Sequence, residues 1–184
     1  MAKTPSNMVS LGTLAPKFSL LDVKSSENKN LDELKGEKGT VIMFICNHCP
    51  YVKHVNRTIS DLAVKFIEKG IGFIAISSND VINYPEDSPE LMKLNAIENN
   101  YIFPYLYDES QEIAKKYEAA CTPDFYLYNR NLKLTYRGQL DDSRPGNGIN
   151  CDGKDLEHAI NCLLSNSENI RAQKPSIGCN IKWK

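Results

Sequence analysis

The stretch Thr40-Val41-Ile42-Met43-Phe44-Ile45 is apolar apart from its opening threonine, and two cysteines, Cys46 and Cys49, follow it directly before Pro50. An apolar run of strand length without polar alternation belongs to a central strand covered on both faces, as in α/β layers. Beyond Pro50 the period changes. Val52, Val55, Ile59, Leu62, Phe66 and Ile67 recur at helical steps, and Gly70 closes the run. The cysteines therefore lie where a buried strand hands over to a helix. Unpaired N–H groups and the positive end of the helix dipole stabilise a thiolate at such a junction. Cys-x-x-Cys thiols at helix N-termini ionise at about 3.5–7.5 instead of about 8.5. This reading gives Cys46 the lowered pKa and the attack on a disulfide, and gives Cys49 the resolution of the mixed disulfide.

Around this junction the chain alternates strands and helices. Gly72–Ser77 reads as a second buried strand, Ser88-Pro89 as a helix start with a serine cap, Tyr105–Tyr107 as a short strand and Ser110–Ala119 as a helix. Phe125–Tyr128 and Leu132–Tyr136 flank Asn129-Arg130-Asn131 as a hairpin, and Leu156–Leu164 closes as an amphipathic helix with Leu156, Ile160, Leu163 and Leu164 inward. Residues 1–17 read as irregular, broken by Pro5 and Pro16. Phe18–Asp22 reads as a strand, Lys24–Asn30 as a polar turn, and the glycine-rich segment Asp141–Asp155 as an exposed loop. The expected architecture is one α/β domain over residues 1–184: a central mixed β-sheet flanked by helices, with an N-terminal extension and an extended basic tail over 171–184.

Composition narrows the function classes. The 184 residues carry 22 Lys+Arg and 23 Asp+Glu, a net charge of −1, so neither nucleic acid nor a membrane surface is an expected partner. The N-terminus lacks the apolar block of a secretory signal, and no apolar run approaches the ~20 residues that span a bilayer. The expected compartment is the cytoplasm, where the six cysteines would be free, catalytic or metal-bound rather than structural disulfides. A zinc site would need two further ligands, and His48, His54, Cys121 and Cys179 form no second closely spaced pair, so no metal is expected. The glycines at 146 and 148 follow no strand–helix phosphate loop, so no nucleotide or flavin cofactor is expected either.

Three segments carry a family resemblance: Cys46-Asn47-His48-Cys49-Pro50-Tyr51, Cys121-Thr122-Pro123-Asp124-Phe125 and Gly178-Cys179-Asn180-Ile181-Lys182-Trp183-Lys184. Together they resemble the redoxin, or alkyl hydroperoxide reductase/thiol-specific antioxidant, branch of the thioredoxin-like proteins, from Leu11 to the C-terminus. The resemblance implies a thioredoxin-like fold with the redox pair at the start of the helix after the first central strand. It implies a cis Thr122–Pro123 bond beside the pair, in a loop whose backbone pairs with a substrate chain. The partner it implies is a protein or small-molecule disulfide or thiol. His48, between the cysteines, reads equally as a stabiliser of the thiolate and as a histidine at a loop tip.

Two departures from the family pattern stand out. Thioredoxin keeps a buried carboxylate in the strand before the motif, and Val41–Ile45 holds no acid; Lys53 is a substitute only if it leaves solvent. Peroxiredoxins place Thr or Ser three residues before the reactive cysteine and Pro seven before it. Those positions are Met43 and Gly39 for Cys46, and Cys46 and Ile42 for Cys49. A thiol peroxidase using Cys46 and a thiolate metal-binding domain are the alternatives to a thiol–disulfide oxidoreductase. Cys121 and Cys179 are possible additional redox thiols, Cys121 otherwise a small strand residue and Cys179 otherwise an inert cysteine in a docked tail. Cys162 reads as core and Cys151 as incidental. The oligomeric state has no signature in the sequence.

Overall fold

Strand β4 (Gly39–Phe44) is buried at every position, and its side chains divide between two apolar layers. Val41 and Met43, with Ile45 just beyond the strand, face one layer, whereas Ile42 and Phe44 face the other. This is the two-residue period of a strand covered on both sides. The computed structural model describes residues 3–184. Helix α2 (Pro50–Ile67) packs on the first layer through Val52, Val55, Ile59 and Phe66, joined by α3 (Pro89–Glu98) and α5 (Lys154–Leu164). The short helices α1 (Leu31–Leu34) and α4 (Glu112–Lys116) cover the second layer with Leu31, Ile113 and Ala114.

The other strands are β1 (Lys3–Pro5), β2 (Ser19–Asp22), β3 (Glu27–Asn30), β5 (Ile71–Ser77), β6 (Tyr105–Tyr107), β7 (Cys121–Thr122), β8 (Asp124–Asn129), β9 (Leu134–Gly138) and β10 (Ile177–Asn180). The main sheet runs β3-β2-β6-β5-β4-β8-β9, with β4·β5 and β5·β6 parallel and the remaining pairs antiparallel, so the sheet is mixed as expected. A second, three-stranded sheet runs β1-β10-β7, which brings both chain ends to the segment before Pro123.

Four local expectations are corrected. The N-terminal extension is not irregular throughout, because β1 pairs with β10 and accommodates Pro5 as an edge strand that can spare an N–H. Lys24–Asn30 is not all turn: the Asp22 carboxylate accepts the Lys24 and Ser25 N–H groups and Ser26 sits at φ 63°, so the chain reverses early and Glu27–Asn30 pairs back on β2. The helix expected over Ser110–Ala119 is confined to Glu112–Lys116, with Gln111 and Glu118 both at positive φ around it. The segment after Asp141 is not wholly solvated, since buried Asp141 gathers it by accepting from the Ser143, Asp152 and Gly153 N–H groups. Among the described residues no helix is long and apolar enough to cross a membrane.

Candidate active site

The junction after β4 delivers both thiols to one place. Cys49 is the N-cap of α2, its carbonyl accepting from the Val52 and Lys53 N–H groups at 3.0 Å, with Pro50 at the first helical position. Cys46 is 1% and Cys49 0% exposed, and all six cysteines are thiols. The Thr122–Pro123 peptide bond is cis, and Thr122 lies against both thiols. Cys49 Sγ lies 3.3 Å from the Thr122 carbonyl oxygen, and Cys46 Sγ lies 3.4 Å from Thr122 Oγ1.

The two thiols are coupled through the hydrogen bond between their sulfurs. The Cys49 thiol is lowered to about 4, chiefly by the hydrogen bond from Cys46. Burial opposes the shift, while Cys179, the Val52 N–H and Thr122 add to it. Cys46 is raised well above an ordinary thiol by its hydrogen bond to Cys49, by burial, by the negative charge of Asp87 and by the charge on Cys49. The first cause of both shifts is the one hydrogen bond between the two sulfurs, so the thiols titrate as a pair, with Asp87 adding to the rise at Cys46.

That carboxylate, Asp87, had no signal in the sequence. It ends the short 3₁₀ turn Pro85–Asp87, immediately before the Ser88 cap of α3, whose hydroxyl accepts from the Leu91 N–H as expected. Fully buried Asp87 Oδ1 accepts the Asn47 and His48 N–H groups at 2.8 and 3.2 Å, and Oδ2 accepts from His48 Nδ1 at 2.6 Å and Asn79 Nδ2 at 2.8 Å. Burial pushes the Asp87 carboxyl up, but the hydrogen bonds from His48 and Asn79 outweigh it and the net shift is downward. His48 is raised by the Asp87 hydrogen bond, against burial, and its ring stacks on Tyr84 at 5.5 Å between centroids. His48 is thus a half-covered member of the turn, tied to a carboxylate rather than bonded to a thiol. Lys53 is exposed.

Cys46, His48 and Asp87 each bring one potential metal-ligand atom within 4.8 Å of the others. Three donors fall short of the four that close a structural zinc site, and the Asp87 oxygens are already engaged by hydrogen bonds. Asp124 does not supply the carboxylate missing from β4: it bonds the Tyr126 hydroxyl at 3.0 Å, and Tyr126 belongs to the layer opposite the thiols. Buried Cys121 donates to the Pro123 carbonyl at 3.7 Å, and burial pushes its thiol up. Cys162 is buried on α5, and Cys151 lies partly covered in the loop before it.

Cys179 lies closest to the pair. Strand β10 pairs antiparallel with β7, setting Cys179 opposite Thr122 and Asn180 opposite Cys121. Its Sγ lies 3.0 Å from Cys49 Sγ.

A mixed sheet clad by helices, with a Cys-x-x-Cys turn at a strand–helix junction facing a cis-proline, defines a thioredoxin-like protein. The family model of the AhpC/TSA family matches residues 11–137, and the chain belongs to that family. Comparison with the curated proteins finds no match. An uncharacterized conserved protein from Geobacillus kaustophilus is 55% identical, with a TM-score of 0.98 over 100% of this chain and 97% of that one. A hypothetical protein from Sinorhizobium meliloti 1021 is 42% identical, with a TM-score of 0.96 over 98% of each chain. The thioredoxin domain of a thiol-disulfide oxidoreductase from Bacteroides vulgatus shares the fold at 16% identity, with a TM-score of 0.63 over 82% of this chain and 97% of that one.

Proposed function

We propose that the protein is a thiol–disulfide oxidoreductase that cycles Cys46 and Cys49 between a dithiol and a disulfide. The observation that carries this reading is the placement of both sulfurs against Thr122, Cys49 on its carbonyl and Cys46 on its hydroxyl, directly before the cis-proline. The attack on a partner disulfide is assigned here to Cys49 and the resolution to Cys46, where the sequence expectation has the roles the other way round; the support is the place of Cys49 at the cap of α2 and the lowering of its thiol by the hydrogen bond from Cys46.

The Cys49 thiolate attacks one sulfur of the partner disulfide. The partner S–S bond breaks, its other sulfur leaves as a thiolate and takes a proton from solvent, and Cys49 is held in a mixed disulfide. Cys49 is then neutral, so its hydrogen-bond and charge effects, two of the causes that keep the Cys46 proton on, disappear. Cys46 loses its proton and attacks Cys49, the Cys46–Cys49 bond forms, and the second partner sulfur leaves and is protonated. The partner has gained two electrons and the pair has lost them.

Reduction of a peroxide is the weaker reading, because Met43 and Cys46 stand where a peroxide-orienting hydroxyl would precede either cysteine. The test is the rate at which oxidised glutathione is consumed, with mass-spectrometric mapping of the product. Wild-type protein should form a Cys46–Cys49 disulfide, and Cys49→Ser should lose at least about a hundredfold in rate. Cys49→Ser reacting at the wild-type rate would overturn the assignment.

A further inference from the structure

The edge of Thr122 that faces the thiols is already paired, by the chain's own C-terminal strand. β10 lies between β7 and β1, antiparallel to both, with Cys179 opposite Thr122 on one side and Lys3 on the other. The fit depends on the residue before the cysteine: a Cβ at Gly178 would collide with the Thr122 carbonyl oxygen, so glycine is what lets this strand approach so closely. The strand is anchored at both ends. Before it, the Ser176 hydroxyl donates to the Pro123 carbonyl at 2.6 Å. After it, the Lys182 N–H donates to Asn79 Oδ1, while the Lys182 carbonyl accepts from Gln111 Nε2 and the Asp80 N–H, each at 2.8 Å. Cys179 is thereby fixed with its sulfur 3.0 Å from Cys49 Sγ, about 1 Å beyond a disulfide bond length.

Resting on the oxidoreductase reading, we infer that Cys179 is a third redox-active thiol of this site, one that exchanges with the Cys46–Cys49 disulfide to form a Cys49–Cys179 disulfide. The step is an internal isomerisation and needs no outside oxidant. Cys179 gives up its proton and attacks Cys49 Sγ, the Cys49–Cys179 bond forms and the Cys46–Cys49 bond breaks. Cys46 leaves as a thiolate and takes up a proton, so two thiols have exchanged one oxidised bond. Burial raises Cys179, and so do its hydrogen bond to Cys49 and the Cys49 charge; the last two are absent once Cys49 is in a disulfide. Cys49 is therefore the hub, with Cys46 in the turn and Cys179 on the tail strand as alternative partners.

The test treats full-length Cys46→Ser with oxidised glutathione, then alkylates and maps every cysteine. The expected result is loss of glutathione from Cys49, a Cys49–Cys179 disulfide, and protection of Cys179 from alkylation; Cys46→Ser with Cys179→Ser should keep glutathione on Cys49. Retention of glutathione on Cys49 in Cys46→Ser, with Cys179 fully alkylated, would overturn the inference and leave the oxidoreductase reading intact. Should that variant not fold, wild-type protein oxidised in graded steps decides the question: a Cys49–Cys179 fraction supports the inference, and Cys46–Cys49 alone with Cys179 alkylated at every step overturns it. Wild-type protein with no disulfide at Cys46 or Cys49 would overturn the oxidoreductase reading itself.

Discussion

Asp87 Oδ2 accepts from His48 Nδ1 at 2.6 Å across 39 positions of sequence, and the same carboxylate accepts the backbone N–H groups of Asn47 and His48. One buried acid thus shapes the turn between the two cysteines. Asn79 extends the link, donating to Asp87 through Nδ2 and accepting the Lys182 N–H through Oδ1, so the turn and the C-terminal tail share a residue.

Replacing Asp87 by Ala should therefore destabilise the fold by about 2–4 kcal/mol, because it strands buried donors and removes the partner of a histidine. The effect has a pH window. His48 is raised, so its stabilisation is full below about 6.5 and is lost as pH rises through the folded value. Asp87 is lowered, so its stabilisation is present above about 3.9 and is lost as pH falls through the folded value. Urea unfolding of wild type and Asp87→Ala should differ most between those limits. A difference that does not vary with pH would contradict the ion pair.

Cys49 should remain a thiolate well into the acid range. Its thiol is lowered to about 4, so thiolate absorbance of the reduced protein should persist at pH 6 and fade as pH drops through that region. The shift also stabilises the fold above an unfolded thiol value of about 8.5, and that contribution declines toward acid pH. Cys46→Ala removes the largest cause of the shift, so the titration should move upward. An unchanged midpoint would show that Cys46 does not hold the charge in place.

Asp124 is fully buried, Oδ1 finds no partner among the described residues, and burial raises its carboxyl to about 8. The folded state then binds a proton that the unfolded chain releases above about 3.9, so this residue makes stability fall as pH rises from there to about 8. Asp124→Asn cannot ionise and should flatten that decline. Melting temperatures at pH 5 and pH 9 measure it, and an equal fall in variant and wild type would count against a protonated Asp124.

Gly178→Ala should loosen the tail, because the added methyl meets the Thr122 carbonyl. A loss of about 1–3 kcal/mol is expected from such overpacking. Cys46 and Cys49 should become more open to an alkylating reagent as β10 shifts from β7. Wild-type alkylation rates in this variant would show that the tail does not cover the pair.

The strand–helix junction was legible because each part has a local physical cause. Val41 to Ile45 can only be buried on both faces, Val52 to Ile67 repeats with the helical period, and Pro50 starts a helix as Ser88 caps one. The cis Thr122–Pro123 bond followed from the family resemblance and is present. The pairing of Lys3–Pro5 with Ile177–Asn180 was not legible, since strands this short declare themselves only through their partners.

The sequence by itself therefore determined that two thiols would meet at the start of a helix after a central strand. What surrounds those thiols came only from the folded chain. The ionisation of Cys46 and Cys49 depends on burial and on Asp87, Thr122 and Cys179, which arrive from other elements. Hydrogen bonds and Coulomb fields act over ångströms of space, and residues far apart in the chain reach those distances only once the core has closed.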